Sequence, residues 1–447
     1  MMLISKNLGQ KTSLTVLILL LIGFQQFPVL YVGGSLKVYE VFGLFLLISY
    51  GIKFRKDFLV TLMYLFFVIS PLASLLSFYL FDDVGSYYRI YPQTLKSFRY
   101  NIYIFPVLQL LFMITNYTVL YNLYYSREIY KRFDDIIRGI VIIGTGIAVY
   151  SIIAMVTGDP ISHLPQVIQN KHVYEFRSSG LSQEPSSYIL YQGWIVLLCW
   201  FSRGAFSKKK WIAMLSINVI SLLLTFSSTL VLFAGVVGLT IFLFSRFRMK
   251  VVYLAVFVGM LYASYMFFSK FVDVEVLNYA LVQKVEDFII GKEDAGGSGG
   301  FRHYESSLGW IIFKENPYLG VGVGNSNYFM HLADKKSDII PMDEQLNETS
   351  FPPNTFASVF AEQGILGGGI FLLMLFVILR RAWKSIGFRY GKIFFTAIVF
   401  NIGCLVVIAP QYSMYLWVYM FMAMGYYRAE KRRLLLNLLN DENCDRL

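Results

Sequence analysis

Apolar runs long enough to cross a bilayer recur from one end of this 447-residue chain to the other. A membrane-spanning helix needs roughly 20 mostly apolar residues. Twelve runs qualify, near 12–32, 36–52, 58–81, 100–121, 137–157, 186–202, 211–226, 228–245, 250–268, 355–379, 392–409 and 411–427. Composition agrees: 56% of the residues are hydrophobic and 15% are charged, against about 25% charged in a soluble globular chain. Too few charges are available to cover a water-facing surface, which excludes a soluble enzyme and a disordered chain. The expected fold is an all-α polytopic membrane protein. The first run follows Lys6 and Lys11 and lacks a small-residue cleavage site, so it reads as a retained helix and not a removed signal.

The net charge of +11 takes its meaning from where it lies. Loops alternate from side to side across twelve spans, and 26 of the 39 Lys and Arg residues fall on the side shared by both termini. The other side holds 13, seven of them in one segment, 269–354. Loops longer than about 60 residues do not report orientation, so the short segments divide 26 to 6. Both termini are expected in the cytoplasm, and the basic balance calls for a membrane surface and not for nucleic acid. The expected organisation is helices one to nine with short loops in 1–268, a large outer loop in 269–354, helices ten to twelve in 355–427, and a cytoplasmic tail in 428–447.

Cys199, Cys404 and Cys444 are too few and scattered for a disulfide framework. His163, His172, His303 and His331 show no metal-ligand spacing. His303 and His331 could act as bases near neutral pH, or be solvated loop histidines. Long loops are usually functional or disordered. Segment 269–354 has 13 acidic and seven basic residues. Its stretch Leu308-Gly309-Trp310-Ile311-Ile312-Phe313 suggests a short amphipathic helix over the membrane. The run Ala295-Gly296-Gly297-Ser298-Gly299-Gly300 reads as a flexible hinge. The two halves of the chain show no self-similarity, which weighs against a secondary transporter.

Three segments carry chemistry. In Arg177-Ser178-Ser179-Gly180 and Gln183-Glu184-Pro185-Ser186, Pro185 suits a first helical turn. Arg177 would sit just outside the bilayer, as a guanidinium fork for a diphosphate or as an interfacial anchor. In Asn316-Pro317-Tyr318-Leu319-Gly320-Val321-Gly322-Val323-Gly324-Asn325, the glycines could aim N–H groups at an anion, or form a plain turn. Arg302 precedes this segment. Asn354, which follows Pro353, could cap the tenth helix. Asn354, Ser358 and Glu362 also share a helix face at i, i+4 and i+8. A carboxylate within an apolar helix is costly and points to function: Glu362 could accept a proton or partner Arg177 or Arg302. The turn Thr225-Phe226-Ser227-Ser228-Thr229 could line a polar site or cap a helix.

Taken in order, these three segments resemble the O-antigen polymerase/ligase superfamily of bacterial membrane glycosyltransferases, as does the arrangement of twelve spans with one large late outer loop. The ligase branch has a histidine directly before the position of Asn354. Here that residue is Pro353, while the nine-residue spacing to Gly364-Ile365-Leu366-Gly367 is kept. The resemblance therefore favours the polymerase branch. It implies an undecaprenyl-pyrophosphate-linked oligosaccharide as substrate, with the growing glycan passed to the terminal sugar hydroxyl of a second lipid-linked repeat. Such chemistry needs cations on a diphosphate leaving group and an acceptor for the hydroxyl proton. Arg177 and Arg302, with Gly322 and Gly324, are the diphosphate-binding candidates. Glu184, Glu362 and Asn354 are the catalytic candidates. No cofactor and no metal are expected. A chain-length regulator is an expected partner, and the bacterial inner membrane the expected location, with the site on the outer face. A ligase acting on another acceptor and a lipid-linked oligosaccharide flippase are the alternatives.

Overall fold

The computed structural model describes residues 10–24, 28–31, 35–81, 103–157, 178–182, 185–225, 227–244, 298–336, 351–406, 408 and 413–444. The expected span 250–268, the outer segment 82–99, and Arg177 and Glu184 lie outside the described residues. The described chain is helical apart from one small hairpin. The elements are α1 (Gln10–Leu21), β1 (Pro28–Tyr31), β2 (Ser35–Lys37) and α2 (Val38–Tyr50). Helix α3 runs from Phe58–Tyr64 through a π-helical turn, Leu65–Ile69, into Ser70–Phe81. Then follow α4 (Ile104–Tyr125), α5 (Arg127–Lys131), α6 (Phe133–Thr157), α7 (Pro185–Phe201), α8 (Lys208–Leu223) and α9 (Ser228–Phe244). After these come α10 (Ser298–Glu315), α11 (Ser326–Lys336), α12 (Thr355–Lys384), α13 (Gly391–Cys404) and α14 (Met414–Cys444).

Among the described residues, four helical stretches are long and apolar enough to cross a membrane: Phe58–Leu80, Ile104–Tyr125, Phe133–Met155 and Thr355–Lys384. Shorter apolar helices surround them, among them Val38–Tyr50, Thr229–Phe244 and Gly391–Cys404. The side chains of Ile48, Leu80, Leu239 and Phe376 are more than half exposed, as expected where lipid is the solvent.

Two sequence expectations need correction. The first apolar run is not one helix to residue 32. Helix α1 ends at Leu21, and Pro28–Tyr31 pairs antiparallel with Ser35–Lys37, Pro28 opposite Lys37 and Tyr31 opposite Ser35. Pro28 lacks the N–H that a continuing helix would need. The glycine run 295–300 is not wholly a hinge either, because Ser298-Gly299-Gly300 forms the first turn of α10.

The middle of the bundle is α14, whose residues from Met414 to Met424 are buried. A helix apolar on every side belongs inside a bundle. Helices α4, α5, α7, α12 and α13 pack around it. Trp417 stands 5.3 Å from the ring of Phe67, 6.0 Å from Phe66 and 6.1 Å from Phe371. The π turn lets Phe66, Phe67 and Val68, consecutive in sequence, all be buried there.

The charged helix ends collect on one face. Asp57 caps α3, its Oδ1 accepting from the Leu59 N–H at 3.0 Å. Asp57 also meets Tyr124 at the end of α4 and Arg381 near the end of α12. Asp134 at the start of α6 accepts from Arg389 Nη1 at 2.7 Å and from the Tyr390 hydroxyl at 2.6 Å. The opposite ends of these helices come together at the other face, and that face holds the candidate site.

Candidate functional site

The site begins with a break in α12. Its first turns are capped by Asn354, whose Oδ1 accepts from the N–H groups of Phe356 at 2.9 Å and Ala357 at 3.3 Å. The backbone departs from the helix at Gly364, with φ 62° and ψ −164°. Only glycine takes up that conformation readily. The break turns backbone groups of α12 toward the loop 316–325. Ile365 N–H donates to Pro317 O at 2.7 Å, Val321 N–H to Ala361 O at 2.9 Å, and Gly322 N–H to Glu362 O at 3.0 Å. The two backbones lie so close that a Cβ at Gly364 would stand 2.3 Å from Tyr318 O, and one at Gly320 2.4 Å from the Glu362 carbonyl carbon. These glycines let a loop lie along a broken helix.

Glu362 is held at this junction and is 2% exposed. Its Oε1 accepts from the Ser326 hydroxyl at 2.7 Å. Backbone groups of Gly324 and Ser326 also bond the carboxylate. Ser326 opens α11, so the carboxylate occupies the N-terminal end of that helix, where partial positive charge and unpaired N–H groups favour an anion. Glu362 Oε2 has no hydrogen-bond partner among the described residues. From below, the Ser74 hydroxyl donates to Glu362 O and the Ser70 hydroxyl to Gln363 Oε1.

Helix α10 braces this junction. Tyr304, Leu308 and Ile312, spaced by one helical turn, are buried in a small cluster with Phe78, Val321, Tyr328, Phe329 and Ala361. The Tyr304 hydroxyl bonds Asp334 of α11. The amphipathic helix expected around Leu308 therefore exists and packs against α12 and α11. Arg302 stands two residues before Tyr304, half-buried, and His303 is exposed.

The turn after Arg177 is anchored on a second polar cluster. Ser178 N–H donates to Leu224 O at 2.8 Å. The Ser178 hydroxyl lies 2.6 Å from Ser151 Oγ of α6 and 3.3 Å from Ser221 Oγ of α8. Tyr188 of α7 reaches the same Ser221 hydroxyl at 2.8 Å. Gly180, at φ 58°, donates its N–H to Ser151 Oγ at 2.8 Å. Three helices thus fix the stretch beginning at residue 178. In the neighbouring turn, the Thr225 hydroxyl bonds Leu222 O, a local cap.

The structure brings Glu362, Gly322 and Gly324 together, with Asn354 at the head of the same helix and Arg302 on α10. The Gly322 N–H is taken up by Glu362 O, and a Gly324 backbone group by the Glu362 carboxylate, so these groups have partners inside the chain. The Asn354 side chain serves as a cap. Ser70, Ser74 and Ser326 were not foreseen. Ser70 and Ser74, one turn apart inside an apolar run, were the available signal, because buried hydroxyls in such a helix face a partner. Among the described residues, no three His, Cys, Asp or Glu side chains gather as metal ligands would.

Residues 211–372 match the family model described as O-antigen ligase. A search of curated proteins found no match. The matched segment takes in α10, the glycine loop, α11 and the broken part of α12, and it leaves out Arg177 and Glu184. By its long apolar helices the chain is a membrane protein, and its residues 211–372 are similar to the O-antigen ligase family, a class that transfers glycans.

Proposed function

We propose that this protein polymerises a polysaccharide, passing glycan from an undecaprenyl-pyrophosphate-linked donor to the terminal sugar hydroxyl of a second lipid-linked repeat. The observation that supports it most is Glu362: a buried carboxylate with one oxygen held by Ser326 and the other without a partner among the described residues. It lies where two of the three family-like segments meet. In the reaction, the acceptor hydroxyl oxygen attacks the sugar carbon that bears the diphosphate. That carbon–oxygen bond breaks, the lipid diphosphate leaves with the electron pair, and the hydroxyl proton passes to Glu362. Arg177 and Arg302 stabilise the charge on the departing diphosphate. Glu184 positions the acceptor, and Asn354, Gly322 and Gly324 hold the helix and loop that carry Glu362. No metal takes part.

In this reading the twelve-span bundle sits in the bacterial inner membrane with the basic face and both termini cytoplasmic. The site then opens on the outer side, and a chain-length regulator works alongside it. Pro353, standing where the ligase branch has histidine, favours polymerase over ligase. The ligase reading draws on the description of the matching family. Purified protein in liposomes, supplied only with lipid-linked repeats and with chelator present, should give a ladder of longer glycolipids. Glu362→Gln, Arg177→Ala and Arg302→Ala should each remove the ladder at normal protein levels. Product that appears only when a different acceptor lipid is added would replace polymerase with ligase. Wild-type ladders from all three variants would overturn the assignment of the site.

A further inference from the structure

The face opposite the candidate site carries a cavity of about 410 Å³ that glycan transfer does not use. It opens between the start of α3, the end of α12 and the middle of α14. Six cations line it, Arg380, Arg381, Lys384, Arg428, Lys431 and Arg432, against one carboxylate, Asp57. That carboxylate is already committed. Its Oδ1 caps α3 and pairs with Arg381 Nη2 at 3.4 Å, and its Oδ2 accepts from the Tyr124 hydroxyl at 3.2 Å. Arg381 Nη1 donates to the same hydroxyl at 2.6 Å. Arg428 lies over the Tyr125 ring, 4.2 Å from its centroid. Arg381 and Arg428 therefore form the braced floor, while Arg380, Lys384, Lys431 and Arg432 are exposed at the rim.

So many cations held close together repel one another unless an anion joins them. The cavity's other walls indicate the source of that anion. Phe58 is 58% exposed and Leu435 53%, and Leu434 and Leu436 beside it are also about half exposed. Apolar side chains flanking a cationic pocket at a membrane face suit acyl chains beside a headgroup. A free anion would leave these side chains in water.

We propose that this pocket binds the headgroup of an anionic membrane phospholipid carrying two phosphates. Arginines fork onto phosphate oxygens, and the five-charge excess of the lining calls for more than a single phosphate. The lipid would tie α3, α12 and α14 together on the basic face. The idea does not depend on the glycan-transfer reading, since its test measures lipid retention.

The test uses the full chain, purified in detergent, with native mass spectrometry reading competition among cardiolipin, phosphatidylglycerol and phosphatidylcholine. Wild type should retain cardiolipin over phosphatidylcholine. Combining Arg380→Gln, Lys384→Gln and Arg432→Gln removes three rim cations and spares the floor. Roughly 1 kcal/mol per cation near a charged lipid surface implies a loss of preference of about a hundredfold. The lysine versions Arg380→Lys and Arg432→Lys should keep most of it. A control triple, Lys208→Gln, Lys209→Gln and Lys210→Gln, elsewhere on the chain, should keep all of it. Equal preference in wild type and rim triple, or equal loss in the control, would overturn the proposal. Displacement of cardiolipin by an equal concentration of inorganic pyrophosphate would also overturn it, assigning the pocket to a free anion.

Discussion

Gly364→Ala tests the geometry of the site most directly. Gly364 holds φ 62° and ψ −164°, a region that costs a residue with a side chain about 1–3 kcal/mol. The new methyl carbon would stand 2.3 Å from Tyr318 O and 2.6 Å from Leu319 N, both backbone atoms, so no side chain can swing aside. Relief requires the loop to lift from the helix. That breaks the bonds from Ile365 N–H to Pro317 O and Leu366 N–H to Tyr318 O, each worth about 0.5–1.5 kcal/mol. The total is about 3 kcal/mol or more. Gly369, five residues on in the same helix, has nothing within 4 Å of its Cβ position. Alanine there should stabilise by up to about 1 kcal/mol through helix propensity. Thermal unfolding in one detergent should therefore place Gly364→Ala below wild type and Gly369→Ala at or above it. Glycan-chain synthesis should be lost only in Gly364→Ala, whose loop no longer holds Glu362. If Gly364→Ala unfolds at the wild-type temperature and makes full-length glycan, the loop–helix contact is not what shapes the site.

Other perturbations follow the same reasoning. Gly180→Ala adds a left-handed penalty of about 1–2 kcal/mol and places a methyl 2.3 Å from the Tyr188 ring. It should shorten the glycan ladder and lower the unfolding temperature, and an unchanged ladder would detach the 178–180 turn from function. Asn354→Ala removes the cap of α12 at about 1 kcal/mol. Asn354→Asp should restore stability, so a melting series of the two separates capping from chemistry, where only the amide would serve. Trp417→Ala empties the centre of the bundle. Because helix packing in lipid rests on close contact and not on water exclusion, the loss should fall near the lower end, about 3 kcal/mol, of the aromatic-to-alanine range; chemical unfolding in detergent measures it.

Membrane residence and the helical class were legible in the amino-acid order, because the length and polarity of an apolar run are local properties. The suspicion about Glu362 was legible for the same reason: a carboxylate in such a run stands out wherever it packs. Asn354 could be named as a cap because capping acts over three residues. What the chain order could not reveal was the partnership. Ser326 finds Glu362 across 36 positions and Ser70 finds Gln363 across 293, and no periodicity records such meetings. The break at Gly364, the loop laid along it and the six-cation pocket between α3, α12 and α14 all depend on which helices pack together. Close packing of distant segments, set by shape and by backbone hydrogen bonds, decided them.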